Sequence, residues 1–192
     1  EYNLYTAEAK FLRAHSYHLL TNWWNEVPLQ LTSTKDQSDN HLPASSLEDL
    51  YAQIISDYTF ATEHLPGDVG GTLINGRASK WAAHGLLARL YLKMAGEPYN
   101  DASKYELAKQ QCGIVINSQR FRLNPSITTT VVDGQGEERI VVTQDGYRNH
   151  FLSYLQDSYD PQESIFEISF KYLRTLGLFT DGRVGTTNGI PF

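Results

Sequence analysis

The chain has 192 residues, 41% hydrophobic and 20% charged, enough for one domain with a substantial core and too apolar for a disordered chain. Its 16 basic and 22 acidic residues give a net charge of −6 with no basic run, which argues against a phosphate-tracking surface and against nucleic acid as a partner. A single cysteine, Cys112, excludes an intrachain disulfide.

No stretch reads as a signal peptide or a membrane span. The chain opens at Glu1 a few residues before a helical pattern and stops in a loop at Phe192, so it is expected to be part of a longer protein. The first helix is predicted from Ala7 to Trp23. Phe11, Ala14 and His18 fall on one of its faces, and Leu12, Ser16, Leu19 and Trp23 on another. Apolar character on both sides predicts a helix packed between neighbours. The helix runs out through Trp23-Trp24-Asn25-Glu26-Val27-Pro28, where Pro28 disfavours helix at Val27. A polar loop, Thr32 to His41, follows.

Ser45 and Glu48 form a capping-box pattern ahead of a second helix, in which Leu47, Leu50, Tyr51, Ile54, Tyr58, Ala61 and Leu65 repeat at three and four. Pro66-Gly67 ends it, and a glycine-rich linker reaches Gly76. Ser79 to Ala95 is the stretch around which the rest is expected to pack. Trp81, Gly85, Ala88, Tyr91 and Leu92 make one helical stripe, and Leu86, Leu87, Leu90 and Met94 a second. Small residues such as Gly85 would admit close approach of another backbone. Gly96-Glu97-Pro98 ends this helix. Asn100 or Asp101 caps a fourth, running to Asn117 with Tyr105, Ala108, Cys112, Val115 and Ile116 inward, so Cys112 is expected to be a buried structural thiol. Ala14-x-x-Tyr17 recurs as Ala88-x-x-Tyr91, each followed by a further helix. This reads as two helix-pair repeats of the tetratricopeptide sort.

After Phe121 the character changes. Thr128–Val132 and Arg139–Thr143 are β-branched runs around Asp133-Gly134-Gln135-Gly136, which predicts a hairpin. A short helix is predicted over Tyr147–Gln156, a strand over Ser164–Phe170, and a loop from Gly177 to Gly189. The fold class is mainly α, a tetratricopeptide-like helix-pair superhelix with a small hairpin and strand insertion.

Few residues carry recognisable chemistry. His15 and His18 are half of a metal site at most, since no second ligand pair has matching spacing, and structural histidines are the plainer reading. Asp133-Gly-Gln-Gly-Glu137-Glu138 hints at a calcium loop but lacks its alternating oxygen ligands, so a solvated hairpin tip is expected. There is no glycine-rich phosphate loop, serine elbow or His-Glu-x-x-His motif. Counting acidic residues does not exclude a glycosidase pair, and nothing singles one out. Trp23-Trp24-Asn25 is the notable cluster. Two adjacent tryptophans on a helix cannot face the same way, so one is expected to anchor the core and the other to present a flat face. Sugar C–H patches stack on such faces, and an asparagine meets hydroxyls as donor and acceptor. The plainer alternative buries both rings.

The order AEAKFLRAHSYHLL, WWNEVPL, SLEDLYAQIISDYTFATEHLP, GRASKWAAHGLLARLYLKM and SIFEISF resembles the SusD/RagB family of nutrient-binding lipoproteins on the Bacteroidetes outer membrane. The resemblance covers Glu8 to Phe170. It implies that residues 1–192 are part of a single SusD-like domain, with a helical repeat portion to 120 and a mixed portion over 121–192. It implies a non-catalytic, surface-exposed protein that captures a glycan and hands it to a SusC-like TonB-dependent transporter; no cofactor is expected, and no metal site is read from the residues. The family's lipidated N-terminal cysteine is absent, so the membrane anchor is expected outside this chain. In some members an aromatic and an asparagine from the loop after the first repeat helix contact glycan. Trp23, Trp24 and Asn25 occupy that place, and Arg183 and Asn188 in the tail are further candidates. A glycoside hydrolase on a helical scaffold and a protein-only repeat scaffold are the alternatives.

Overall fold

A computed structural model describes residues 2–37, 41–68, 77–155 and 160–167. Four helices come first: α1 (Tyr2–Trp24), α2 (Leu47–His64), α3 (Lys80–Ala95) and α4 (Lys104–Asn117). A two-stranded antiparallel sheet of β1 (Ile127–Val132) and β2 (Glu138–Gln144) follows, then α5 (Gly146–Leu155). α1 packs on α2, α2 on α3 and α3 on α4, and α1 meets α3 only slightly. The links between them fix the directions. Ser45 N–H donates to the Val27 carbonyl beside the exit of α1, and Lys80 N–H donates to the Pro66 carbonyl at the end of α2. Asp101 N–H donates to the Met94 carbonyl at the end of α3. Successive helices are therefore antiparallel, the arrangement of stacked helix pairs expected from the repeated Ala-x-x-Tyr pattern.

The core lies where α1, α2 and α3 meet. Phe11 and Ala14 of α1, Tyr51, Ile54, Tyr58 and Ala61 of α2, and Ala83, Leu87, Leu90 and Met94 of α3 are buried there. Each fully buried large apolar side chain stabilises the fold by roughly 1.5–3 kcal/mol. Phe11 and Tyr58 meet edge to face with ring centroids 5.9 Å apart. One charge sits inside this packing. Asp57 of α2 is fully buried and accepts two hydrogen bonds from Arg13, Nε at 2.7 Å and the terminal nitrogen at 2.8 Å, with Lys10 Nζ at 3.3 Å. The hydrogen bond to Asp57 raises the pKa of Arg13 above its usual value. A two-pronged Arg–carboxylate contact fixes the register of α1 on α2 as well as joining them.

Several expectations need correction. The α2 cap lies one residue later than the Ser45–Glu48 box, since the Ser46 side chain accepts from Asp49 N–H and donates to the Asp49 carboxylate. Ser45 Oγ instead accepts from Leu29 N–H, tying the loop back. In α3, Ser79 caps as the pattern suggested. Yet α3 is not wrapped on every side. Leu92 is half exposed, and a side chain at Gly85 would meet no atom within 4 Å. The close backbone approach expected at Gly85 is absent among the described residues. In α4 only Ala108 and Val115 are buried, whereas Tyr105 and Ile116 are exposed. Cys112 is exposed too, not a buried thiol. The reason is that α4 packs chiefly on α3 among the described helices, so one narrow face suffices.

The hairpin is as expected. Asp133 organises its tip by accepting from Gln135 and Glu137 N–H, and Gly136 takes the positive φ of 83° that the turn requires. That carboxylate is spent on its own turn, consistent with a hairpin tip. Residues 164–167 carry no strand. The rest of the predicted strand, Gln156 of the predicted helix and the Gly177–Gly189 loop lie outside the described residues.

Candidate functional site

The end of α1 is held on three sides. Lys93 of α3 donates to the Thr21 carbonyl and to Asn22 Oδ1, both at 2.7 Å, placing a cation on carbonyls that the last helical turn leaves unpaired. Tyr17 of α1 reaches over the outgoing chain, its hydroxyl accepting from Gln30 N–H at 2.8 Å. Ser45 then grips the same segment at Val27 and Leu29. The chain reverses at Asn25, which takes a positive φ of 59°. Asparagine is among the few side chains that tolerate this conformation at a helix exit.

Both tryptophans at this corner stand in solvent, Trp23 78% and Trp24 65% exposed. The expectation that one ring anchors the core fails, and so does the alternative that buries both. The helix needs neither ring, because Thr21 and His18 already close its inner face. Residues 23 and 24 differ by about 100° around the helix, so the corner presents two separate indole faces beside the exposed Asn25. Arg183 and Asn188 lie outside the described residues, and nothing brings them to this corner or separates them from it.

A second concavity opens between α1, α3 and residues 165–167. It is a cleft of about 460 Å³ lined by His15, Gly85, Leu86, Arg89, Phe166 and Glu167, among others. Phe166 meets both Phe11 and His15 edge to face. Burial, then the nearby Arg89, lowers the pKa of His15. His18, deeper in the core, is pushed down to about 4 by burial and then by Lys93, Arg89 and His15. Both rings are thus neutral at pH 7, and no group of three His, Cys, Asp or Glu side chains suited to a metal exists among the described residues. The sequence reading missed this cleft. Its one visible signal was Gly85, a missing side chain in an otherwise filled stripe, which leaves space rather than admitting a neighbour.

Comparisons with known proteins agree with this architecture. Residues 1–92 match the profile of the SusD-like_3 family, described as starch-binding associating with outer membrane. A SusD-like protein of Bacteroides ovatus is 33% identical over 120 residues, which cover 61% of this chain and 21% of that protein. The crystal structure of a SusD homolog from Bacteroides thetaiotaomicron superposes with a TM-score of 0.70 at 31% identity, over 88% of this chain and 29% of that one. A structure solved with a xylogluco-oligosaccharide is 30% identical with a TM-score of 0.50, over 61% of this chain and 24% of that one. The chain therefore spans between about a fifth and under a third of these relatives.

Proposed function

Because residues 1–92 match the SusD-like_3 family model and the chain superposes on SusD homologs at about 30% identity, we propose that the protein it is part of is a SusD-family member that captures glycan at the outer-membrane surface, without cleaving it, and delivers it to a SusC-like TonB-dependent transporter. The observation that carries this reading is the corner at the end of α1. Trp24 and Asn25, with Trp23 beside them, offer flat apolar faces and an amide on a backbone pinned by Lys93, Tyr17 and Ser45. Aromatic faces take up the C–H side of a sugar ring, and the amide both donates to and accepts from hydroxyls. A pinned corner loses little further freedom on binding, which favours affinity. The relative solved with a xylogluco-oligosaccharide supports the ligand class, and the starch-binding description of the family points the same way. Arg183 and Asn188 are proposed as further contacts from the tail.

A shallow aromatic site implies micromolar to millimolar affinity, roughly −8 to −4 kcal/mol. The test is affinity electrophoresis and calorimetry of the full-length protein against starch and xyloglucan, with Trp24→Ala and Trp23→Ala alongside. Binding that falls at least tenfold in Trp24→Ala, with unchanged circular dichroism and recovery of intact glycan, is the expected result. Parental affinity in Trp24→Ala removes the corner from the site, and cleaved product overturns the non-catalytic reading.

A further inference from the structure

The second apolar stripe of α1 has no partner among the described residues. Tyr2, Tyr5, Ala9, Leu12, Ser16, Leu19 and Trp23 follow one another at alternating steps of three and four. All seven are exposed, Tyr2 and Trp23 by 83% and 78%. On the helical wheel they lie opposite the buried Ala7, Phe11, Ala14 and His18. No charge interrupts them. The exposed face of α2 sets the contrast. It steps in the same way through Asp49, Ala52, Ser56, Thr59 and Glu63, with Glu48 beside Asp49, and is mostly polar. The α1 face is thus built to be covered, and its period is that of a helix seam: a 3.5-residue repeat keeps knobs in line with a second helix along six turns.

We propose that this stripe is a docking seam for an apolar α-helix supplied by the part of the same polypeptide beyond these 192 residues. Two observations choose that occupant. The Bacteroides thetaiotaomicron structure that contains this fold over 88% of the chain devotes only 29% of its own length to it, so more than two thirds of such a protein is available as cover. An uncharged stripe of aromatic and aliphatic side chains is also the composition of a permanent interface. A second copy or a separate partner would leave it in water whenever the two part, and soluble proteins rarely leave patches of that size open. Where the glycan reading holds, the seam also divides the two tryptophans. Covering the stripe takes Trp23, and Trp24 remains open beside Asn25.

The test is thiol labelling of the full-length protein with Cys112→Ser as background, since Cys112 is exposed. Ser16→Cys places a thiol in the middle of the stripe, and Leu12→Cys is a second reporter should the first fail to fold. Maleimide labelling at each site, located by peptide mass spectrometry, is timed in the folded monomer and in urea. Labelling at least tenfold slower in the folded monomer, unchanged by dilution, is the expected result. Labelling at the unfolded rate overturns the seam. Protection that disappears on dilution assigns the face to a second copy and overturns the intrachain occupant. No glycan enters the assay, so failure of the seam and failure of the glycan reading are distinguishable.

Discussion

Removing Arg13 should cost more than neutralising Asp57, although the two share one contact. Asp57 is fully buried, with 1% of its side chain in solvent, whereas a third of Arg13 is exposed. Arg13→Met leaves a buried carboxylate with one remaining cation, Lys10 at 3.3 Å and itself 29% exposed. Breaking a buried pair from one side typically costs 3–5 kcal/mol, and the help from Lys10 places the expectation near the lower end, about 3 kcal/mol. Asp57→Asn keeps the volume and lets Arg13 turn its exposed part to water, for a cost of about 1.5 kcal/mol, the lower end of the range for a hydrogen bond to a charged group. Arg13→Met with Asp57→Leu removes both the pair and the buried charge, and should recover most of the stability lost in Arg13→Met. Urea unfolding of the full-length protein, followed by far-ultraviolet circular dichroism, measures all three against the parent. Equal costs for the two single variants, or a double variant no more stable than Arg13→Met alone, would refute the view that desolvation of Asp57 dominates.

Four further outcomes follow from the same geometry. Ser46→Ala should destabilise by about 0.5–2 kcal/mol through loss of the α2 cap, with urea midpoints as the measure. Ser45→Ala should leave α2 intact and loosen the Leu29 segment, seen as faster amide exchange at Leu29. The pKa of His18 is depressed when folded, to about 4 from 6.5, so its contribution is full above pH 6.5 and fades as pH falls towards 4. The loss amounts to about 3 kcal/mol, and a flattened pH profile of stability in His18→Phe is the check. Gly85→Ala should raise stability by up to about 1 kcal/mol, because a helical glycine gains from a methyl that meets nothing. A lowered thermal midpoint would show that space to be filled in the whole protein.

Most of the helical framework was legible because local signals and burial agree in it. The step of three and four from Leu50 to Leu65 is buried throughout, and Ser79 caps where a serine precedes an apolar run. The failures have a common cause. In SSLED both serines have an acidic residue three places on, and only the Leu29 backbone, which claims Ser45, decides between them. Tyr105, Cys112 and Ile116 extend the apolar pattern of the buried Ala108 and Val115 with no helix opposite them among the described residues, so periodicity alone drew the inner face of α4 too wide. Trp23 and Trp24 were weighed as core or ligand face from their chemistry, yet their exposure follows from Thr21 and His18 closing the helix first. The Asp57 pair went unnoticed since a single aspartate on a helix has no spacing to mark it.

The hairpin bears on how this chain can be handled. Every residue of β1 and β2 is exposed, and among the described residues the two-stranded sheet leaves an unpaired ladder edge on each side. A lone ribbon of two strands is at best marginally stable in water. Ile127, Val131, Val132, Ile140, Val141 and Val142 stand along it, and such a segment templates cross-β growth between molecules. Glu137, Glu138 and Arg139 gather at the turn end, leaving Ile140–Thr143 without a charge. Residues 1–192 produced alone in a heterologous host would therefore drift toward insoluble aggregate by way of this ribbon. Replacing Thr129 or Val141 with lysine is the first remedy for soluble material.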